Sequence, residues 1–198
     1  MTADHSTPPH PLPPLRLKRG EERRLRAGHC WIFSNEIDVT QTPLKEFEPG
    51  TPVVIEAASG KPVGCGYVNP HSLIAARLVS RDPRQPLSPT LIEARLRTAL
   101  ELRERYYGQP FYRAVFGESD GLPGLVVDRF GAVLAVQITT AGMERLRDAI
   151  LGALHRVYEP GVILLRNDGA IRELEGLTRY VETAYGRLPE SPEVEVDA

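Results

Sequence analysis

The pattern of the sequence changes at a proline-rich segment, Asp82–Pro89. Before this segment, short apolar stretches alternate with turns that contain Gly and Pro, which is typical of a small β-barrel. After it, two longer stretches place apolar residues at helical spacing between further short strands. The sequence therefore predicts an α+β protein, with a small β-barrel followed by a separate α+β domain.

The domain boundaries follow from this change and from the composition of the two ends. The start of the chain is rich in proline and the end combines proline with acidic residues, so we expect both ends to lack regular structure. The predicted segments are a disordered tail over residues 1–14, a barrel over 15–81, a linker over 82–88, an α+β domain over 89–187 and an acidic tail over 188–198.

The first domain is predicted to consist of short strands around one short helix. Residues 59–62, with the sequence SGKP, are a turn signal that predicts a hairpin between the stretches on either side. The predicted elements are strands at Leu15–Lys18, Trp31–Phe33 and Leu73–Val79, a helix at Glu21–Arg26, and a hairpin of Thr51–Glu56 with Gly64–Val68.

The second domain begins with a capped helix. Ser88 can accept a hydrogen bond from the first helical turn, and Pro89 suits the first helical position, so a helix is expected from there to about Tyr107. The other predicted elements are strands at Tyr112–Phe116, Leu125–Asp128, Val133–Ile138 and Val162–Leu165, and an amphipathic helix at Gly142–Tyr158.

Composition excludes several classes of protein. Of the 198 residues 41% are hydrophobic and 25% are charged, which is typical of a soluble globular protein. We find no apolar run long enough to span a membrane and no secretory signal.

Two cysteines, Cys30 and Cys65, cannot build a disulfide framework, so a cytoplasmic protein is expected. The five histidines are scattered and no metal-binding motif is present, so no metal site is predicted.

The strongest electrostatic feature is a basic segment over residues 16–29. Its basic residues are Arg16, Lys18, Arg19, Arg23, Arg24, Arg26 and His29. Trp31 and Phe33 follow directly, and cations beside aromatic rings are used to bind the phosphates and unpaired bases of RNA. The alternative is a solvated charged face with both rings in the core, and Trp31 itself is predicted to be a core residue because it lies in a half-buried strand.

Three carboxylates, Glu118, Asp120 and Asp128, suggest an alternative hydrolase function, because two carboxylates beside one bond can act as acid and base. The surrounding stretch Gly117–Gly124 is dense in turn-forming residues, which favours a shaped loop instead. Gly64 and Gly66 resemble the start of a dinucleotide loop but lack the third glycine and the following helix, so no cofactor loop is predicted.

Three stretches resemble the ribosomal RNA large subunit methyltransferase I family, whose members use S-adenosylmethionine to make 5-methylcytosine. The resembling stretches are Leu17–Leu25 with His29–Ile37, Gly117–Gly131, and Arg166–Leu177. The second stretch, with GESDGLPGL followed by VVDRFG, is the most specific. Cys30 stands where the family usually has proline, at a position that is not the family's nucleophile.

The resemblance implies a family of three parts: a PUA barrel, a central α+β domain and a Rossmann-like methyltransferase domain. This chain resembles the first two, so we expect no Rossmann methyltransferase domain, no bound cofactor and no catalysis by this chain alone, with S-adenosylmethionine used by the full-length family member. The implied partners are ribosomal RNA, a catalytic domain in cis or in trans and a second copy in a homodimer, and no membrane.

The resemblance also implies an RNA-binding surface on the PUA-like domain. The residues expected to bind RNA are Arg16, Lys18, Arg19, Arg23, Arg24, Arg26, His29 and Asn69. Two further functions stay open from the sequence, namely a PUA-type RNA-binding module that acts alone in ribosome assembly and an interaction domain whose basic face is only solvated.

Overall fold

The computed structural model describes residues 12–188. The first unit is a five-stranded sheet with one short helix. Its elements are β1 (Pro14–Arg16), α1 (Glu22–Arg26), β2 (Trp31–Ile32), β3 (Thr51–Glu56), β4 (Pro62–Val68) and β5 (Ala76–Ser80). The strand order is β1-β3-β4-β5-β2, and β3 and β4 form the antiparallel hairpin that the turn signal predicted.

The two edges of this sheet are brought together by the segment that follows β2. Leu17, just after β1, forms an isolated antiparallel bridge with Ile37. The backbone nitrogens of Lys18 and Asp38 donate to the carbonyls of Glu36 and Arg16, at 2.9 Å each. The sheet thus wraps around a core of aliphatic side chains. This core contains Leu15, Leu17, Leu25, Ile32, Ile37, Val53, Ile55, Val68 and Leu78.

The second unit is a five-stranded sheet covered on one face by two helices. Its elements are α2 (Pro89–Tyr106), β6 (Phe111–Phe116), β7 (Leu125–Phe130), β8 (Val133–Ile138), α3 (Ala141–Glu144), α4 (Arg147–Tyr158), β9 (Val162–Asn167), α5 (Ile171–Leu174) and β10 (Tyr180–Tyr185). The strand order is β10-β9-β8-β7-β6. β8 and β9 are parallel, because α3 and α4 carry the chain back between them.

Local sequence accounts for the first helix of this unit. The Ser88 hydroxyl accepts a hydrogen bond from the Leu91 nitrogen at 3.3 Å, and Pro89 occupies the first turn. Ile92, Leu96 and Ala99 form the buried stripe that packs toward the sheet. The structure therefore shows both the N-cap and the apolar helix face that the sequence predicted.

Three local predictions need correction. The predicted helix Gly142–Tyr158 is two helices, α3 and α4, because the chain departs from helical geometry at Leu146 (φ −109°, ψ 18°) while its apolar spacing continues. β10 was not predicted. Pro14, placed in the predicted disordered tail, lies in β1 and pairs with Val54. Residues 1–11 of that tail and residues 189–198 of the acidic tail lie outside the described residues.

The two units are packed against each other. Tyr67 of β4 is fully buried with the core of the second unit, and its hydroxyl donates to the Pro123 carbonyl at 2.7 Å. Arg95 of α2 donates to the carbonyls of Val79 and Gly121 and so connects β5 with the second unit. Within the described part of the chain, no helix is both long and apolar enough to cross a membrane.

Candidate nucleic-acid interface

Part of the basic segment has structural partners. The Arg16 guanidinium pairs with the Glu56 carboxylate at 2.7 Å, which holds β1 against β3. Arg24 pairs with the buried Glu36 and lies over the Phe33 ring, with 5.4 Å from its guanidinium carbon to the ring centroid. These two arginines therefore hold the sheet and α1 in place, and their charges are paired with carboxylates of the protein.

The rest of the segment faces solvent. Among residues 12–188, no side-chain hydrogen bond or ion pair involves Arg19, Arg23, Arg26 or His29, and all four are exposed. Lys18 is also exposed, and its ammonium donates to the Asn35 carbonyl at 2.8 Å. The exposed cations lie on α1 and the loops beside it, so they form one basic surface.

Asn69 does not belong to this surface, contrary to expectation. Its side chain is 1% exposed, and its amide nitrogen donates to the Glu175 carboxylate at 2.8 Å. The same carboxylate accepts from Arg77 at 2.9 Å and from the Ala141 nitrogen at 3.3 Å. Asn69 thus joins the two units from the inside, and a contact with RNA would break buried hydrogen bonds.

Trp31 was predicted to lie in the core, and this prediction was wrong. The indole is 42% exposed, whereas its neighbour Ile32 is 1% exposed. Successive side chains of a strand point to opposite faces, so burial of Ile32 turns Trp31 outward. The alternation in this short strand is the sequence signal that could have identified Trp31 as an exposed ring.

Trp31 faces a cleft between the two units with a volume of about 290 Å³. The cleft is lined from the first unit by Trp31, Ile74 and Arg77 and from the second by Phe116–Ser119, Gly124, Val126, Thr139, Thr140 and Ile171. The indole nitrogen donates to the Glu118 carboxylate across the cleft at 2.6 Å. Sequence reasoning did not bring these two residues together, because they are separated by 87 positions.

The glycine-rich loop that carries Glu118 is shaped by its backbone. Gly117, Gly121 and Gly124 have φ values of 51°, 69° and 88°, in the left-handed region where a Cβ is unfavourable. At Gly124 a Cβ would also lie 2.2 Å from the Thr140 hydroxyl oxygen. The loop thus requires glycine for its own conformation and for its packing against the chain after β8.

The three carboxylates of the hydrolase alternative do not converge. Asp120 accepts from the Arg103 guanidinium at 2.5 Å and from the Phe116 nitrogen at 2.6 Å, so it stabilises the loop. Asp128 pairs with Arg113 at 2.9 Å and lines a different depression from the cleft that contains Glu118. A pair of acid and base on one substrate bond is therefore not formed, and the hydrolase alternative is set aside.

Neither cysteine has the surroundings of a nucleophile. Burial and the nearby Glu118 carboxylate raise the pKa of the Cys30 thiol, and burial together with Asp82 raises the pKa of Cys65. Both thiols are therefore protonated at neutral pH. Within residues 12–188 no group of three or more His, Cys, Asp or Glu side chains could hold a metal ion.

A nucleotide-type cofactor does not fit the parallel βαβ unit formed by β8, α3, α4 and β9. Such a group binds at the N-terminus of the helix that follows the first strand. Here the Ala141 nitrogen at that position donates to the Glu175 carboxylate, and the Tyr67 ring fills the space beside Gly142. The residues of this chain therefore hold the two units together at the point where a cofactor would lie.

Comparison with protein families identifies the first unit. A family model described as "PUA-like domain" matches residues 15–81, which include β1 to β5. The PUA-like domain predicted from the resemblance is thereby confirmed.

Proteins named "Ribosomal RNA large subunit methyltransferase I" are similar over most of the chain. The protein from Salmonella arizonae is 35% identical over 180 residues, which are 89% of this chain and 44% of that protein. The proteins from Cronobacter sakazakii and Shewanella frigidimarina are each 34% identical, over 88% and 90% of this chain. The chain spans less than half the length of these relatives.

Two solved structures share the fold. A SAM-dependent methyltransferase from Streptococcus mutans has a TM-score of 0.72 at 17% identity and matches 92% of this chain and 45% of its own. A methyltransferase complexed with SAH has a TM-score of 0.73 at 16% identity, over 90% of this chain and 44% of its own. At these identities the comparison establishes the fold alone.

These matches correct the predicted fold class, which excluded a methyltransferase domain. The exclusion was wrong, because the fold of the described residues is methyltransferase-like. The exclusion followed from the family resemblance, in which the chain matched only the PUA barrel and the central domain, and a resemblance of a few stretches does not determine the fold of all the described residues. The α+β unit also contains a parallel strand pair joined through helices, which the sequence analysis did not identify.

Proposed function

This chain is a homologue of the ribosomal RNA large subunit methyltransferase I proteins, and from that premise we propose that it binds and positions RNA for a SAM-dependent rRNA methyltransferase. The observation that carries the proposal is the exposed basic surface of the PUA-like domain. Arg19, Arg23 and Arg26 are exposed on or beside α1 and have no ion-pair partner in the described part of the chain.

The chemistry of these side chains suits a polyanion. A guanidinium presents several N–H donors in one plane and matches two phosphate oxygens at once. Each contact also releases counterions from the nucleic acid, which makes binding depend on salt. His29 and Lys18, at the border of the surface, add donors to the same ligand.

Arg16 and Arg24 have a different part in this proposal from the one expected. Their ion pairs with Glu56 and Glu36 hold β1 and α1 in place. We therefore assign them a positioning role, in which they orient the helix that carries Arg23 and Arg26. In this proposal the exposed cations make the direct contacts with the phosphates.

The assignment of the modified nucleotide and of the methyl donor follows from the family resemblance. The modified residue would be a cytosine of large-subunit rRNA, methylated at C5 in the cytoplasm with S-adenosylmethionine as donor. In this proposal the chain contributes RNA binding and positioning, and a catalytic domain in cis or in trans contributes the methyl transfer. A homodimer would double the basic surface and strengthen binding through avidity.

A salt titration tests the proposal. The double variant Arg23→Ala/Arg26→Ala is compared with the unchanged chain in filter binding to a large-subunit rRNA hairpin with an unpaired loop. Two lost contacts to single-stranded RNA should lower the slope of log K against log salt by about 1.4, at about 0.7 each. Arg105→Ala is the matched control, because Arg105 is an exposed arginine at the far end of α2.

An unchanged slope in the double variant, with the control also unchanged, contradicts the proposed surface. A separate variant, Arg24→Ala, distinguishes positioning from contact. It is expected to lower thermal stability, because the buried Glu36 loses its partner. The double variant should leave stability within about 0.5 kcal/mol of the unchanged chain.

A further inference from the structure

The cleft between the two units contains two exposed aromatic rings. Trp31 of the first unit is 42% exposed and Phe116 of the second is 52% exposed, and both line the cleft. A single exposed ring is common on a protein surface, but two exposed rings that line one concave site form an apolar patch of the kind found at binding sites. The volume of about 290 Å³ is at the lower end of ligand sites and suits one small planar group.

The polar chemistry of the cleft is dominated by one carboxylate. One oxygen of Glu118 accepts from the Trp31 indole nitrogen at 2.6 Å, which holds the ring in place. The other oxygen has no hydrogen-bond partner among residues 12–188. An ionised carboxylate only accepts hydrogen bonds, so this oxygen favours a ligand that presents an N–H group.

The walls of the cleft are fixed before any ligand binds. Tyr67 and the ion pair of Arg77 with Glu175 are buried between the two units. Arg95 adds two hydrogen bonds that connect β5 with the glycine-rich loop. A preformed site costs less ordering on binding, which favours the capture of a rigid planar ligand.

The cleft adjoins the basic surface. Trp31 follows the exposed His29 by two residues, and Arg113 on the other side lies over the Phe116 ring, with 5.2 Å from its guanidinium carbon to the ring centroid. A strand of nucleic acid held by Arg23 and Arg26 would thus have its next nucleotides near the cleft. The exposed cations of the adjoining basic surface favour a nucleic acid over an apolar peptide as the occupant.

We infer that the cleft binds one unpaired nucleobase of the RNA, stacked on Trp31, with an amino group that donates to Glu118. This inference rests on the proposed function, because it requires RNA on the basic surface. Adenine, cytosine and guanine carry such an amino group, whereas the N3–H of uracil lies between two carbonyl oxygens that a carboxylate repels, so the site prefers the first three. Fully paired RNA does not enter, because its bases are already stacked.

Trp31 is the one tryptophan of the full sequence, so its fluorescence reports on this site directly. The full chain is titrated with single-stranded oligo(C) and oligo(U), which are matched in ring size, and with a fully paired RNA duplex. We expect oligo(C) to quench the emission and to protect Trp31 from acrylamide, with a weaker effect of oligo(U) and none of the duplex. N-acetyltryptophanamide with the same RNAs controls for light absorption.

Three variants assign the contacts. Trp31→Ala should weaken binding of oligo(C) about 5- to 150-fold, the range expected for loss of one stacked base, and Trp31→Phe should restore part of the affinity. Glu118→Gln keeps an oxygen for the indole nitrogen but adds N–H donors, so it should reduce the preference for oligo(C) over oligo(U). Exposed Val39 of the same unit provides the control Val39→Ala.

The outcomes separate this inference from the proposed function. If RNA binds with the expected salt dependence while Trp31 emission and the affinity of Trp31→Ala stay unchanged, the base site is wrong and the basic surface stands. A Trp31 that acrylamide cannot reach in the RNA-free protein also overturns the site, because another part of the protein then covers the ring. If no RNA binds at all, the proposed function fails, and the base site fails with it.

Discussion

At the scale of single residues, arginine has two separate uses in this chain. Arg24 pairs with the buried Glu36, whereas Arg23, its neighbour, is exposed without an ion-pair partner among the described residues. The two side chains differ only in the direction that α1 gives them, because residues one position apart in a helix point to different sides. The sequence shows the charge of a segment, and the helix decides which charges a ligand can reach.

The surroundings of the two cysteines distinguish them from reactive thiols. Burial and Glu118 raise the pKa of Cys30, so its thiolate forms only at a pH above that of an ordinary thiol. We predict that alkylation of Cys30 by iodoacetamide, followed by mass spectrometry, reaches half of its maximal rate at a higher pH than alkylation of glutathione in the same buffer.

The variant Glu118→Gln should move this midpoint of Cys30 toward lower pH, because it removes the nearby negative charge that disfavours the thiolate. Glutathione in the same buffer provides the reference for both forms of the protein, since Glu118 does not act on its thiol. A midpoint for Cys30 at or below that of glutathione would contradict the assignment of a buried, unreactive thiol.

At the scale of elements, the short helix α3 depends on one glycine. A Cβ at Gly142 would lie 2.2 Å from the Tyr67 ring, which is fixed by its hydrogen bonds to Pro123 and Thr140. Neither the ring nor the helix can move without loss of buried contacts. The glycine is therefore required by the close approach of two units and not by its backbone conformation.

We predict that Gly142→Ala lowers the free energy of unfolding by about 1–3 kcal/mol, the usual cost of overpacking a core. Urea unfolding followed by circular dichroism measures this change. Gly108→Ala is the matched control, because nothing lies within 4 Å of its added Cβ, and it should change stability by less than about 0.5 kcal/mol. Equal stability of the two variants would show that Tyr67 does not pack against α3 in solution.

At the scale of the whole molecule, the relation between the two units depends on a buried carboxylate. Glu175, just after α5, accepts hydrogen bonds from Asn69 and Arg77 of the first unit and from the Ala141 nitrogen of the second. Removal of this carboxylate would leave the Arg77 guanidinium and the Ala141 nitrogen without an acceptor, and Asn69 would keep only the Glu175 backbone carbonyl. Together with Tyr67 and Arg95, this junction holds the two walls of the cleft between Trp31 and Glu118.

We predict that Glu175→Ala lowers the free energy of unfolding by about 3–5 kcal/mol, as expected when one partner of a buried ion pair is removed. Glu182→Ala, which removes the exposed partner of Arg147, should cost less than about 1 kcal/mol. Both values come from urea unfolding. Similar costs for the two variants would mean that Glu175 is not buried between the units in solution.

Several elements could be predicted from the sequence because their signals are local. The Ser88 cap, the hairpin of β3 and β4 and the strand β8 follow from neighbouring residues, and the structure shows them within a few positions. β10 could not be predicted in this way. It is an edge strand with mixed polar and apolar residues, and its pairing with β9 defines it.

For the interface, the sequence by itself determined the basic segment, which depends on residue type alone, and the PUA-like domain, which its resemblance to a known family implied. Only the tertiary structure decided which cations are exposed, that Asn69 is a junction residue and that Trp31 meets Glu118 across a cleft. The physical reason is that burial and pairing arise when segments distant in the sequence come into contact. Neither the spacing of residues nor the composition shows which segments those are.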